Sequence, residues 1–190
     1  MRLKLLFVII AGTATITAQQ PAGRGRGAAP RPSIVVTSPG LNDGSDLPKK
    51  FSCAAQADMV SPPLEWKNTP PGTQSFALIL HDPEPHHDKS RYDVTHWIIW
   101  NIPGTATSLP ENVPANVDLP DGSRQGKNTR GQVGYFGPCA PAGPNHHYTY
   151  QLFALDSKLD LSPEATRDDF EKAIDGHVLG VGEIIALFHQ

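Results

Sequence analysis

The sequence predicts one mainly β domain with one or two peripheral helices, and three observations indicate this class. The chain has 190 residues, 38% of them apolar, which suffices for one domain with a sizeable core. Its 19 prolines and 17 glycines favour many turns and short strands over long helices. Several short segments also show the apolar runs or the alternation that are typical of buried strands.

The strongest strand predictions are Ser75–Leu80, His96–Ile102 and Tyr148–Leu155. The first is a near-continuous apolar run, which indicates a strand buried on both faces. Further segments with β-branched, apolar or proline-extended character are Ile34–Thr37, Phe51–Ala54, Ser61–Trp66 and Val178–Phe188.

One helix is predicted before the last strand. Ser162 is a suitable N-cap, Pro163 suits the first helical position, and Gly176 suits the end. Phe170 and Ile174 are four positions apart and would give the helix an apolar face. We therefore expect an amphipathic, peripheral helix.

The first 18 residues resemble a cleaved export signal. Arg2 and Lys4 form a basic start, and Leu5 to Ala11 is an apolar run too short to span a bilayer comfortably. We expect a secreted or periplasmic protein. Residues 19–32 contain little that could pack and are predicted to be a flexible linker.

Residues 33–190 are predicted to form the domain, and this part of the chain is acidic. It holds all 19 acidic residues but only 11 of the 16 basic ones, for a net charge of about −8 with histidine neutral. The five basic residues outside it are Arg2, Lys4, Arg24, Arg26 and Arg31. This balance argues against a nucleic-acid partner, whose phosphates would be repelled, so any bound anion needs local donors.

The two cysteines, Cys53 and Cys139, leave two alternatives open. In an oxidising compartment they could form a disulfide, provided that their Cα atoms come within ~7 Å. If Cys139 were reduced, it could instead act as a thiol nucleophile with His146, as in a hydrolase. No helix N-terminus follows Cys139 to activate it, so an enzyme is the less favoured interpretation.

Candidate binding groups lie where predicted strands begin or end. Asp82 follows a buried strand in the stiff loop Asp82-Pro83-Glu84-Pro85, and His96 opens the next strand. His146 and Tyr148 are two positions apart and therefore lie on one face of a later strand. Imidazole N–H, phenol O–H and glycine amides are donors for a phosphate or another oxyanion, while the Asp82 carboxylate would orient a histidine and keep it protonated.

These segments resemble the phosphatidylethanolamine-binding protein family, in particular its bacterial Raf-kinase-inhibitor-like branch. Their order and spacing match over about residues 33–189. The matching segments are Ser61–Trp66, Pro71–Thr73, Asp82–Pro85, Thr95–Trp97 with Asn101–Pro103, Gly134–Cys139 and His146–Tyr148.

The resemblance implies an antiparallel β-sandwich with a small pocket for phosphate, phosphorylethanolamine or a similar anion. By motif matching, the pocket residues would be Asp82, Pro85, His96, Trp97, Gly137, His146 and Tyr148. Two departures affect the outer wall of the pocket: the loop is one residue shorter, with Glu84 as its acid, and His147 replaces the usual arginine. No catalytic residue and no cofactor is implied.

Two other functions are compatible with the sequence, namely metal binding and inhibition of a protein partner by surface contact. His81, His86, His87 and Asp88 could bind zinc or copper, although no recognised catalytic metal spacing is present. Some relatives act by surface contact, which for an exported protein suggests a protease as the target. A second copy of the chain is a further candidate partner. The sequence selects none of these, and a small anionic ligand or phospholipid headgroup remains the expected partner.

Overall fold

The computed structural model describes residues 33–84 and 93–190, and they form two β-sheets and one α-helix. The strands of the small sheet are β1 (Val35–Thr37), β3 (Leu64–Lys67) and β6 (Ser108–Leu109), in the order β1-β3-β6. The strands of the large sheet are β2 (Ser45–Asp46), β4 (Ser75–Asp82), β5 (Val94–Pro103), β7 (Arg124–Gln125), β8 (His146–Leu155) and β9 (Val178–Phe188), in the order β2-β9-β8-β4-β5-β7. The helix, α1, spans Arg167–Ile174.

The large sheet is buried on both faces around β4, as its apolar run predicts. Phe76 and Leu78 belong to a cluster that also contains Trp66 of the small sheet, so this core lies between the two sheets. Ile79 points to the opposite face and packs in a second cluster with Phe170 of α1. Alternate side chains of β4 therefore pack in two different cores, one on each face of the sheet, which explains why the segment is apolar at nearly every position.

The helix begins later than the sequence patterns predict. Its N-cap is Thr166 and not Ser162. Thr166 and Asp169 form a reciprocal capping box, in which each side chain accepts from the other residue's backbone N–H. The Ser162 Oγ instead accepts from the Glu164 N–H and closes a turn outside the helix. The predicted end is confirmed, since Gly176 follows the C-cap with φ of +81°.

The strand predicted at Phe51–Ala54 is wrong. Two 3₁₀ segments, Lys49–Phe51 and Cys53–Asp58, occupy this region. Ser52 separates them, and its Oγ accepts from the Ala54 N–H while donating to the Lys49 carbonyl. These local side-chain bonds compete with strand pairing, which serine permits and a pattern of apolarity does not reveal.

The remaining strand predictions are confirmed within a few residues, and β9 matches its predicted bounds. The structure extends β4 to Asp82 and begins β8 at His146, so both candidate residues are strand termini. No helix in the described part of the chain is long and apolar enough to cross a membrane.

Candidate functional site

The candidate site is built on one end of the large sheet. Strand β4 ends at Asp82, while its antiparallel neighbours β5 and β8 begin at Val94 and His146. The end of one strand and the starts of both neighbours therefore meet, although Asp82 and His146 are 64 positions apart. The buried Asp82 carboxylate accepts a 2.8 Å hydrogen bond from His146 Nδ1, which fixes the orientation of the imidazole ring.

A β-bulge in β5 aims His96 at the same place. Leu80 pairs with Trp97 and His81 pairs with Thr95, so the register skips His96. A bulge of this kind lets a side chain leave the strict alternation of the strand. His96, only 3% exposed, thus lies on the same side as Asp82, where its Nδ1 donates to the Phe136 carbonyl at 2.9 Å.

Aromatic rings hold His96 from two directions. The Phe136 ring is parallel to the imidazole at 5.3 Å between centroids, and the Tyr148 ring contacts it edge-on at 5.2 Å. The Tyr148 hydroxyl accepts from the Cys139 N–H at 3.3 Å. Burial, the charge of Asp82 and a hydrogen bond with Asp82 raise the pKa of Tyr148 well above its ordinary value. The phenol therefore stays protonated and donates to the carboxylate.

The acidic side of the site includes Glu84 and His147. His147 Nδ1 donates to Glu84 Oε1 at 2.6 Å, and its backbone N–H donates to Oε2 at 3.0 Å. Burial raises the pKa of Asp82, and a hydrogen bond with Glu84 adds to the effect, against the opposing influence of His146. Burial also acts to raise the pKa of Glu84, but the hydrogen bonds with His147 and Asp82 outweigh it and the pKa is lowered. The pKa values of the two carboxyl groups are therefore shifted in opposite directions, and Asp82 binds a proton more readily than Glu84 does.

These groups enclose a cavity of about 260 Å³, large enough for a phosphate or a small headgroup. Its lining residues are Asp82, Val94, His96, Thr129, Arg130, Phe136, Cys139, Ala140, Pro141, His146 and Tyr148. The long segment rich in proline and glycine before β8 supplies six of these residues, as expected for a stretch that lines a site. Four of the predicted pocket residues, Asp82, His96, His146 and Tyr148, therefore converge on this cavity.

Two of the predicted pocket residues do not line the cavity, and one lies outside the described residues. Trp97 is fully buried in the core between the sheets, where its Nε1 donates to Gln125 Oε1 at 2.6 Å. The N–H of Gly137 faces Met59 Sδ at 3.2 Å, and a Cβ at this position would be 2.6 Å from the Phe51 carbonyl oxygen. Gly137 thus permits close packing rather than offering a donor to a ligand. Pro85 belongs to residues 85–92, which the structure does not describe.

The two cysteines form a disulfide with an S–S distance of 2.07 Å. It joins the second 3₁₀ segment to the cavity wall, since Cys139 lines the cavity. Cys139 therefore carries no thiol in this structure, and the thiol-hydrolase alternative would require the reduced chain.

The histidine-rich loop does not supply a metal site among the described residues. His81 Nδ1 contacts Asp93 Oδ2 at 2.7 Å, and Arg167 is paired with the same carboxylate. His86, His87 and Asp88 lie outside the described residues. A different group could hold a divalent cation: ligand atoms of Asp82, Glu84 and His146 all lie within 4.8 Å of one another. In the present arrangement these groups hydrogen-bond to one another instead.

Sequence reasoning missed Arg130 and Phe136. The Arg130 guanidinium lies 3.6 Å from the centroid of the Phe136 ring, at the cavity wall. The only signal in the sequence is an arginine in a turn with Asn128 and Gly131, just before the glycine-rich segment Gly134–Cys139. Nothing in that pattern alone places the guanidinium at the site.

Two packed sheets with a polar cavity at one strand end define a class of small β-sandwich proteins. The family profile described as phosphatidylethanolamine-binding protein matches residues 37–189. This chain belongs to the phosphatidylethanolamine-binding protein family.

Relatives and solved structures agree with this assignment. A UPF0098 protein of Methanothermobacter thermautotrophicus is 44% identical over 150 residues, which cover 79% of this chain and 95% of the relative. A UPF0098 protein of Pyrococcus horikoshii is 35% identical and covers 99% of this chain and 91% of its own length.

The crystal structure of a phosphatidylethanolamine-binding protein homologue of Chlamydia trachomatis superposes with a TM-score of 0.73 at 30% identity, covering 83% of this chain and 98% of that one. The crystal structure of Escherichia coli YbcL, described as a new member of the mammalian phosphatidylethanolamine-binding protein family, superposes with a TM-score of 0.74 at 27% identity, covering 83% of this chain and 99% of that one. The mainly β fold inferred from the sequence is thereby confirmed.

Proposed function

We propose that the cavity binds a small anion, such as phosphate or a phosphorylethanolamine headgroup, and that the protein acts as an exported binding protein rather than an enzyme. The observation that carries this proposal is the convergence of His96 and His146 on one cavity, each held through Nδ1. Because Nδ1 of each ring is engaged, the orientation of Nε2 is set by the protein before a ligand arrives. Such preorganisation lowers the cost of ordering the site on binding.

The electrostatics of the cavity support an anionic ligand despite the acidic domain. The Asp82 carboxylate accepts hydrogen bonds from His146 and Tyr148, and these two donors partly offset its negative charge. Arg130 adds a guanidinium at the wall. The donors are therefore local, as the net charge of the domain requires.

Binding is proposed in preference to catalysis because the group most suited to covalent chemistry, Cys139, is oxidised. The paired carboxylate and imidazole resemble a general-base pair, but no nucleophilic side chain is bonded to the His146 ring among the described residues. Export is proposed from the basic and apolar start of the chain, and a disulfide is typical of oxidising compartments.

The test is calorimetric titration of phosphorylethanolamine into the wild type and into His96→Ala and His146→Ala. Each replacement should remove a charge-assisted hydrogen bond of roughly 1.5–3 kcal/mol, which weakens binding about ten- to a hundredfold. His177→Ala is the matched control, because His177 is also paired with an aspartate, Asp156, but is exposed and does not line the cavity. Equal affinity in all four proteins would place the ligand elsewhere.

The pH dependence adds a second readout. An ordinary imidazole titrates near ~6.5, and only its protonated form carries a positive charge. Above about pH 7, where a phosphomonoester is already a dianion, its affinity should therefore weaken as the pH rises and protonated imidazole is lost, and the His96→Ala and His146→Ala variants should each show a shallower decline. A pH-independent wild-type affinity would contradict the role of the imidazoles.

A further inference from the structure

A tightly bonded turn carries Arg130 to the mouth of the cavity. Asn128, which is buried, accepts from the N–H groups of Arg130 and Gln132 at 3.0 and 3.2 Å. Gly131 has φ of +73°, which a glycine adopts without strain. These bonds organise the turn from within, so the position of Arg130 relative to Asn128 is fixed by the backbone.

The same turn is attached to β5 one residue before the bulge. The Thr129 N–H donates to the Thr95 carbonyl at 2.9 Å, and the Thr95 N–H donates to Thr129 Oγ1 at 2.8 Å. Thr95 directly precedes His96, so the turn is hydrogen-bonded to the same stretch of backbone that carries the imidazole. The spacing between Arg130 and His96 is therefore a property of the fold.

The Arg130 side chain is held by stacking and not by an ion pair. Its guanidinium lies 3.6 Å from the centroid of Phe136, whose ring also stacks on His96. Within the described part of the chain no carboxylate pairs with Arg130, whereas Arg124 is paired with Asp118. Stacking uses the face of the guanidinium and leaves its N–H edge to bind an oxyanion.

Among the described residues that line the cavity, Arg130 alone is an arginine or lysine, and an arginine side chain is cationic throughout the ordinary pH range. An imidazole, in contrast, carries a positive charge only when it is protonated, and Asp82 contributes no positive charge. A terminal phosphoryl group has three unsubstituted oxygens and about two negative charges near pH 7. It therefore offers one charged acceptor oxygen for each of the two imidazoles and one for the guanidinium, whereas a phosphodiester has only two such oxygens and one charge.

We propose that Arg130 is the selectivity-determining residue of the cavity, which makes the site prefer a terminal, dianionic phosphoryl group to a phosphodiester. This inference rests on the proposed anion-binding function and deepens it. Arg130 also maintains binding at a pH where the imidazoles are neutral. The N–H edge of the guanidinium donates to the third unsubstituted oxygen of the phosphoryl group. In a diester this oxygen is esterified and carries no charge.

The experiment compares phosphorylethanolamine with glycerophosphorylethanolamine, a monoester and a diester that share the ethanolamine group. Both are titrated calorimetrically into the wild type, Arg130→Gln and Arg130→Lys at about pH 7 and about pH 9, where the monoester is a dianion because its second pKa is near ~6. The wild type should prefer the monoester, and Arg130→Gln should lose about ten- to a hundredfold in monoester affinity but far less in diester affinity. At the higher pH the monoester affinity of Arg130→Gln should fall further than that of the wild type. Arg130→Lys should recover part of the preference, since it restores the charge without the planar fork.

Arg124→Gln is the matched control. Arg124 also lies near an aromatic ring, 6.0 Å from the centroid of Trp100, but it does not line the cavity. It should keep the wild-type preference. If Arg130→Gln kept the wild-type ratio of the two affinities, or lost both equally, the selectivity role would be overturned while anion binding stood. If the wild type bound neither compound, the proposed function itself would fail.

Discussion

His146 Nδ1 donates a 2.8 Å hydrogen bond to Asp82 Oδ2, which joins the first residue of one strand to the last residue of its neighbour. The bond places a buried carboxylate in the wall of a cavity that we propose to bind anions. A carboxylate in such a place repels the ligand unless its charge is compensated. The raised pKa of Asp82 and its hydrogen bonds with His146 and Tyr148 indicate how the protein limits that repulsion.

Asp82→Asn should separate stability from binding. Burial raises the pKa of Asp82 in the folded state, so ionisation of this carboxyl group opposes folding. The stability that the protonated carboxyl group contributes is therefore present at low pH and is lost as the pH rises through the folded-state pKa. The neutral amide should therefore leave the protein at least as stable as the wild type at pH ~7. The difference in stability should shrink as the pH falls below the folded-state pKa and be smallest below ~3.9, where the carboxyl is protonated in both states. Ligand affinity should fall about tenfold, because a neutral amide replaces the carboxylate that accepts from His146 Nδ1 and orients its ring.

Thermal unfolding at several pH values and calorimetry together test the Asp82→Asn prediction. Asp156→Asn is the control, since Asp156 pairs with His177 on the surface, and it should change the affinity little. A variant that is clearly less stable than the wild type at neutral pH would show that the ionised carboxylate stabilises the fold.

Removal of the disulfide should lower both the stability of the fold and the affinity of the cavity for its ligand. Cys53 and Cys139 are 86 positions apart, and loss of a native disulfide costs roughly 2–5 kcal/mol in small domains. Cys139 also lines the cavity and donates its N–H to Tyr148, so the Cys53→Ser/Cys139→Ser variant should bind phosphorylethanolamine more weakly. Denaturant unfolding and calorimetry are the measurements. Reductant should destabilise the wild type and leave the double variant unchanged, and an unchanged wild type would mean that the bond contributes little.

Thr166→Ala should destabilise the protein more than Ser162→Ala. Thr166 forms the capping box of α1 with Asp169, whereas Ser162 closes a turn outside the helix. Loss of an N-cap costs roughly 0.5–2 kcal/mol, which chemical denaturation resolves. If the two variants were equally stable, the helix would not depend on the cap that the structure assigns to it.

Export should remove the start of the chain. N-terminal sequencing of protein recovered from the medium or periplasm of an expressing cell should begin near Gln19, because the basic and apolar start is typical of a cleaved signal. A variant with Arg2 and Lys4 replaced by glutamate should be exported less efficiently. Recovery of a mature chain that retains Met1 would contradict the prediction.

Local sequence pattern predicts the long strands of the large sheet but not the start of the helix or the position of Trp97. The apolar run of β4, the alternation of β8 and the bounds of β9 follow from local pattern, because burial of a strand face imposes periodicity on the residues that form it. The predicted start of α1 is wrong because serine and threonine are both good N-caps. Only the reciprocal hydrogen bonds of Thr166 with Asp169 distinguish Thr166 from Ser162. The resemblance indicated Trp97 as a pocket residue, but the structure buries it in the core beside a bulged His96.

The sequence by itself determined the class of fold and the family resemblance. It also identified Asp82, His96, His146 and Tyr148 as candidate binding residues, since local composition and short motifs suffice to recognise each of them. Only the tertiary structure decided that they meet at one cavity, that Cys53 bonds Cys139, and that Arg130 stands at the wall. The physical reason is that these relationships depend on strand order and register between distant segments. A bulge of one residue is enough to turn His96 from one face of the sheet to the other, and no local pattern records it.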